Sequence, residues 1–375
     1  MATDADMDGY VSDESGGDDC NDSDPMVHPN AHEAEEWEVD DLTPILPGSF
    51  GGIVGSTSLI MDGDVPRILC ARGSWPAEPG AVLLGQEEGS WTTDDLGTED
   101  PVFLTALSID EDGKLHAAMA VGSVPTQLTY ATSSASGWTT AQIVPNAYPL
   151  GIRVDESGWV SIAYQSDNSL ALARGIEGVW DVEELGFTAD CGGWRAATID
   201  SRVAHFAWGN PCNGKYDEFS HPEYVTNSDG LWTSETITED LWTGNSFAIT
   251  LDAAGAAHVA IAAAADSSLG GTDYAWRSDA GWVVERVGPD PGPAIGVAVD
   301  AEGTVHVISS LHHNARDPSG TWTSEAYSDM EAQSVRVAVS AIALHVAFVT
   351  AQGEPFHARR SLVNGIDDDC DGIVR

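Results

Sequence analysis

The stretch Ser136-Gly137-Trp138-Thr139-Thr140 decides the fold because it recurs. Related versions read Ser-Trp-Thr-Thr-Asp-Asp-Leu at 90–96, Val-Trp-Asp-Val-Glu-Glu-Leu at 179–185 and Leu-Trp-Thr-Ser-Glu-Thr-Ile at 231–237. Two more follow, Gly-Trp-Val-Val-Glu-Arg-Val at 281–287 and Thr-Trp-Thr-Ser-Glu-Ala-Tyr at 321–327, and one precedes them all, Glu-Trp-Glu-Val-Asp-Asp-Leu at 36–42. The seven tryptophans are Trp37, Trp91, Trp138, Trp180, Trp232, Trp282 and Trp322, separated by 54, 47, 42, 52, 50 and 40 residues. A period of roughly 40–50 residues marks a repeat architecture, and β-propeller blades fall in that range.

Each repeat carries a second signature upstream of its tryptophan. It reads Leu-Ser-Ile-Asp-Glu-Asp-Gly-Lys-Leu-His at 107–116, Ile-Thr-Leu-Asp-Ala-Ala-Gly-Ala-Ala-His at 249–258 and Val-Ala-Val-Asp-Ala-Glu-Gly-Thr-Val-His at 297–306. Apolar alternation, a turn rich in Asp and Gly, then a second β-rich run make a hairpin. A third strand follows, as at 127–131 and 272–276, and the tryptophan strand is the fourth. Four antiparallel strands in seven units predict an all-β, seven-bladed propeller over residues 34–360. Residues 333–360 supply only three strands, and the Trp37 strand has no blade of its own. The Trp37 strand is therefore expected as the outer strand of the last blade, which closes the ring and removes its edge. The tryptophans are expected to pack between blades.

His116, His205, His258, His306 and His345 occupy equivalent positions, with Ser161 and Arg67 interrupting the series. A histidine repeated once per blade reads as a scaffold residue bonding a neighbouring turn, not as a metal ring.

Charge is the outlier in composition. There are 60 acidic against 15 basic residues, a formal net charge of −45, and Lys114 and Lys215 are the only lysines. So acidic a chain lacks the basic footprint that nucleic acid or an anionic membrane requires. No apolar run reaches the length of a membrane-spanning helix. Self-repulsion at this charge density favours bound divalent cations. Acidic residues follow Met1 at once, so no leader is visible.

Acid concentrates at the two ends, 1–33 and 361–375. Asp4-Ala5-Asp6-Met7-Asp8-Gly9-Tyr10 has the D-x-D-x-D-G spacing of a calcium loop: three carboxylates, a glycine turn and the Tyr10 carbonyl. Ser15 stands where an EF-hand has its closing Glu, leaving Asp13 or Glu14 to take that part. Gly-Asp-Asp-Cys-Asn-Asp-Ser-Asp-Pro follows at 17–25, then Pro-Asn-Ala-His-Glu at 29–33, and Asn-Gly-Ile-Asp-Asp-Asp-Cys-Asp-Gly stands at 364–372.

These pieces resemble the two halves of the MopE-type metal-binding motif of bacterial secreted proteins, here split by the whole propeller. The resemblance implies an extracellular protein with calcium held by Asp4, Asp6, Asp8, Asp19, Asp22, Asp24, Glu33, Asp367, Asp369 and Asp371. It also implies a Cys20–Cys370 disulfide, within one chain or between neighbours. Val363 replaces the cysteine often found before the second half, so a further bridge is missing. An all-oxygen donor set prefers calcium to copper. Cys191 and Cys212 both fall in the fourth blade, spaced to bridge an insertion there, and Cys70 reads as a buried free thiol.

The arginines are few and scattered, and no nucleophile, zinc or phosphate-loop motif is present. The expectation is therefore no catalysis, with a glycoside hydrolase the less favoured reading. Two non-catalytic roles stand. The split motif would continue from the tail of one subunit into the head of the next, giving a calcium-dependent head-to-tail filament. Alternatively, calcium only staples the ends of a monomeric lectin or adhesin, with loop aromatics Trp75, Trp194 and Trp242 stacking on surface glycans.

Overall fold

A computed structural model describes residues 37–46, 54–72, 80–87, 89–123, 126–166, 169–176, 178–188, 195–209, 221–239, 243–263, 271–278, 280–288 and 294–362. Local chemistry builds the hairpins. Asp110 Oδ1 accepts from the backbone N–H of Asp112 and of Lys114, at 3.1 and 2.8 Å. Asp252 repeats the arrangement with Ala254 and Ala256, at 2.9 and 2.8 Å. The turn closes through a residue in the left-handed region, Gly113 at φ +78°. A β-carbon is strained there, which explains the Asp-x-x-Gly signature.

Among the described residues, twenty-eight strands form seven four-stranded antiparallel sheets. Blade 1 holds β2 (Val54–Asp62), β3 (Val65–Arg72), β4 (Gly80–Glu87) and β5 (Ser90–Asp95). Blade 2 holds β6 (Val102–Ile109), β7 (Leu115–Val121), β8 (Gln127–Ser134) and β9 (Gly137–Pro145). Blade 3 holds β10 (Ala147–Val154), β11 (Val160–Ser166), β12 (Ser169–Ile176) and β13 (Val179–Thr188). Blade 4 holds β14 (Ala196–Asp200), β15 (Val203–Gly209), β16 (Pro222–Thr226) and β17 (Thr233–Thr236). Blade 5 holds β18 (Thr243–Leu251), β19 (Ala257–Ala263), β20 (Thr272–Ser278) and β21 (Gly281–Gly288). Blade 6 holds β22 (Gly296–Val299), β23 (Val305–Ile308), β24 (His312–Arg316) and β25 (Trp322–Ala326). Blade 7 holds β26 (Ala332–Val339), β27 (Ala343–Thr350) and β28 (Pro355–Ser361), completed by β1 (Glu38–Asp41) from the start of the chain. The ring closes as the sequence predicts: β1 pairs antiparallel with β28, and inner strand β2 packs beside β26.

The apolar cores lie between blades. Leu69, Leu83 and Leu96 of blade 1 pack with Leu107 and Met119 of blade 2, and Trp138 seals the layer. Each tryptophan sits at such a boundary, and six of the seven indoles donate back to a carboxylate on the preceding blade. Trp37 Nε1 bonds Glu325 at 3.0 Å, Trp91 bonds Asp40 at 3.0 Å and Trp138 bonds Asp94 at 2.8 Å. Trp232 bonds Glu183 at 2.9 Å, Trp282 bonds Glu235 at 3.3 Å and Trp322 bonds Glu285 at 3.0 Å. In every case the acceptor stands three residues after the preceding blade's own tryptophan. Trp180 is the exception. Its Nε1 is buried without a partner, and Ala141 stands where the acceptor belongs.

The recurring histidines belong to the same frame. His116 Nε2 donates to Asp110 Oδ2 at 3.0 Å, and His306 Nε2 donates to Asp300 Oδ2 at 3.2 Å. His258 lies 3.4 Å from Asp252. A carboxylate only accepts, so the ring proton sits on Nε2 and Nδ1 is left to accept. The tyrosine hydroxyls meet it there: Tyr130 to His116 at 2.6 Å, Tyr224 to His205 and Tyr274 to His258 at 2.5 Å. In blade 1, Arg67 takes the histidine's place and donates to Asp62 at 3.1 Å.

Two predictions follow from this frame. Ala141→Asp should give Trp180 its missing acceptor and raise stability by about 1 kcal/mol, a typical net hydrogen bond. Urea denaturation measures it, and Trp180→Phe should then cost less in the parent than in the variant. The second concerns acid. Burial pushes His205 down to about 4 and His345 down to about 3 from the usual 6.5. Both are neutral when folded, whereas the unfolded chain takes up protons near pH 6.5. Stability is thus full above pH 6.5 and lost as pH falls toward the folded values. By pH 5 the loss should be about 2 kcal/mol for each of the two. Urea midpoints between pH 7 and 5 in calcium-replete buffer should fall accordingly, and His345→Gln should flatten the slope.

Candidate functional site

The first candidate is the junction where the chain enters and leaves the ring. Glu38 pairs with Arg359 and Asp41 with Phe356, so β1 begins beside the end of β28. Trp37 and Arg360 both bond one carboxylate, that of Glu325. The Trp37 ring also packs edge-on against His313 at 5.4 Å and tilted against Tyr327 at 5.8 Å. Leu362 N–H donates to Ile342 carbonyl at 2.7 Å. The two acidic segments therefore attach to adjacent strand ends of one blade, whose paired Cα atoms lie about 5 Å apart.

The proposed ligands themselves, Asp4, Asp6, Asp8, Tyr10, Asp13, Asp19, Asp22, Asp24, Glu33, Asp367, Asp369 and Asp371, lie outside the described residues. So do Cys20, Cys191, Cys212 and Cys370, and the loop aromatics Trp75, Trp194 and Trp242. Among the described residues no group of three or more His, Cys, Asp or Glu is arranged to hold a metal. No helix among them is long and apolar enough to cross a membrane. Cys70 is a free buried thiol, as its strand position implies, and burial pushes it up to about 12.

The second candidate is the channel at the centre of the ring, a cavity of about 790 Å³ lined by the inner strands of all seven blades. Its walls mix aliphatic side chains such as Ile60, Ile152 and Val337 with small polar ones such as Ser58 and Thr250. Arg153, Arg195 and Arg336 also line it, and none of its described lining residues is acidic. The register fixes their heights. Arg153 pairs with Ser161, Thr198 with His205 and Ala338 with His345, three equivalent rungs. Arg336 therefore stands two residues and Arg195 three residues from the Arg153 level, about 7 and 10 Å along the channel. In a seven-membered ring, blade 7 faces blades 3 and 4. Arg336 thus stands on the opposite wall of the channel from Arg153 and Arg195.

Arg195 is only 9% exposed, and its Nη1 and Nη2 are both buried without a partner. Burial depresses its pKa. Arg336 is exposed, but to the lumen; its Nη1 donates to the Val335 carbonyl at 2.7 Å, and the enclosing wall depresses its pKa too. The sequence reading of scattered arginines misses this convergence. The signal was there, since Arg153 lies two residues before the hairpin Asp155 and hence on an inner strand.

No family model and no curated protein matches the chain. Solved structures do, at the level of fold. Virginiamycin B lyase from Staphylococcus aureus is similar with a TM-score of 0.59 at 13% identity, over 87% of this chain and 99% of that one. An ulvan lyase, a polysaccharide lyase, gives a TM-score of 0.52 at 14% identity, over 83% of this chain and 94% of that one. A variant of Aleuria aurantia lectin in complex with a fucosylated GlcNAc gives 0.51 at 14% identity, over 68% of this chain and 91% of that one. Identities this low carry the fold alone. They still overturn the expectation of no catalysis: two of these propellers are lyases, so this architecture gives no ground for excluding an enzyme.

Proposed function

We propose that this chain is an extracellular calcium-binding propeller that serves as a ligand-binding module, its acidic ends drawn together by calcium within one chain. One observation carries the reading: β1 and β28 are neighbours in antiparallel register, Glu38 against Arg359. The two halves of the split motif thereby leave the ring side by side. Head-to-tail polymerisation draws less support, because it needs the halves to meet across subunits although the strands that carry them are neighbours in one blade.

The donor chemistry fits. Asp4, Asp6, Asp8 and the Tyr10 carbonyl offer the hard oxygen ligands calcium takes, and Asp367, Asp369 and Asp371 add carboxylates from the other end. Bound calcium supplies positive charge between two acidic segments that otherwise repel each other. Joining them ties the outer strand of blade 7 to its neighbour beyond the four rungs of β1. The neighbours support a saccharide as ligand class, since one is a polysaccharide lyase and another a lectin. Fold-level likeness makes this an analogy.

Chelation should lower the melting temperature while light scattering shows a monomer of constant mass. A ligand at a hundredfold excess over its Kd stabilises by about 2.7 kcal/mol. Asp6→Asn and Asp369→Asn should each remove most of the chelator response. Filaments that grow with calcium would restore the polymer reading, and a melting temperature indifferent to calcium would sink the metal altogether.

A further inference from the structure

We propose that the central channel is a binding site for a small organic molecule carrying two or more negative charges, held by Arg153, Arg195 and Arg336. The chain has 15 basic residues, and removing the two lysines leaves 13 arginines. Arg375 is outside the described residues, which leaves twelve. Nine of these stand in ion pairs: Arg67, Arg72, Arg174, Arg202, Arg277, Arg286, Arg316, Arg359 and Arg360. The three with no carboxylate partner among the described residues all line the same cavity. In a chain with 60 acidic residues, chance does not readily collect three unpaired cations in one place and keep every described lining residue there uncharged or basic.

Energetics sharpens the point. A guanidinium is always protonated, so Arg195 carries a full charge at 91% burial (its exposure is 9%) with two donor nitrogens idle. An unpaired buried charge is strongly destabilising, and a group left in that state calls for a compensating partner. Nothing among the described residues supplies one. An anion entering the channel would.

Size and wall chemistry set the class. A cavity of about 790 Å³ lies within the usual range for organic ligands and far exceeds one inorganic anion. Its walls mix aliphatic side chains with polar ones, Tyr148 and Gln165 among them, so the ligand should present carbon as well as charge. Arg336 opposes Arg153 and Arg195, so two anionic groups on opposite sides of the molecule suit the lumen. Guanidinium forks take carboxylate, sulfate or phosphate alike. The net charge of −45 repels anions at long range, but low-dielectric walls concentrate the field of the three arginines inside the channel.

The test uses the full chain in calcium, titrated by calorimetry with citrate, glucarate and fructose 1,6-bisphosphate, and with neutral sorbitol as control. At least one polyanion should bind saturably with a Kd below about 1 mM, and which one does separates carboxylate from phosphate ligands. Arg153→Gln and Arg336→Gln, both lumen-facing, should each weaken it tenfold or more. Arg174→Gln, on β12 and paired with Glu183, should leave it unchanged. In anion-free buffer the two lumen variants should melt no lower than the parent, because they remove an uncompensated charge. If the arginines merely fill space, they should melt lower and bind as before, which overturns the proposal. Equal affinity for sorbitol, no saturation below 10 mM, or equal weakening by Arg174→Gln would overturn it too. Asp369→Asn should bind the polyanion normally, so failure of the calcium reading and failure of this one are told apart.

Discussion

An indole N–H donated across a blade boundary to a carboxylate is the contact on which this ring depends. No strand ladder joins one described blade to another, so side chains are the main contacts that hold each to the next. Van der Waals packing fills the boundary but is tolerant of sliding. The indole bond is directional, and it ties one outer strand to the next at a fixed height. Six such bonds at about 1 kcal/mol each are comparable with the whole stability of an ordinary domain. The acceptors are themselves held. Glu235 takes two bonds from Arg277, at 3.0 and 2.7 Å, and Glu285 takes two from Arg316, at 2.9 and 3.4 Å. Arg316 in turn lies 4.7 Å over the Trp276 ring. A Trp-x-x-acid repeat thus makes the outer strands both donors to the blade before and acceptors for the blade after, except at the boundary where Ala141 leaves Trp180 without an acceptor.

Closure follows from the same rule. The last boundary needs a strand with a tryptophan to reach Glu325 and a carboxylate to receive Trp91. The strand at 38–41 provides both, through Trp37 at its start and Asp40 within it. Asp40 also lies 3.4 Å from His357 of β28, which helps hold its carboxyl below the usual range. A chain whose start and end share one blade cannot lose either without opening the ring. That makes this junction the natural place for a metal clamp.

Legibility differed between frame and site for a physical reason. The frame repeats, and repetition is visible in one sequence: Trp138 and its six counterparts, the Asp110 and Gly113 turn, and the missing fourth strand after Phe356 all pointed to seven blades closed by the Trp37 strand. The carboxylates three residues after each tryptophan were equally visible, and Ala141 stood out among them, but their partners lie about fifty residues on and across a boundary. The channel arginines do not repeat. Arg153, Arg195 and Arg336 sit at different rungs of different blades, and only the closing of the ring turns them toward one another. The sites a symmetric scaffold uses are the places where its symmetry is broken, so a reading built on the repeat passes over them.

Nine of the twelve described arginines are spent on carboxylates, several of them on the indole ring itself. A chain this acidic could have set carboxylates against these arginines on any of seven inner strands. Those strands instead present Ile60, Ser108, Thr198, Thr250 and Ala338 at the level of Arg153. Acid is thus absent from the described lining of the channel while it crowds the ends and outer strands. Protein walls screen charge less than bulk solvent does, so each arginine acts at greater strength in the lumen than it would outside. A surface that repels anions around a channel that attracts them favours a ligand that fits the lumen over one that is merely charged.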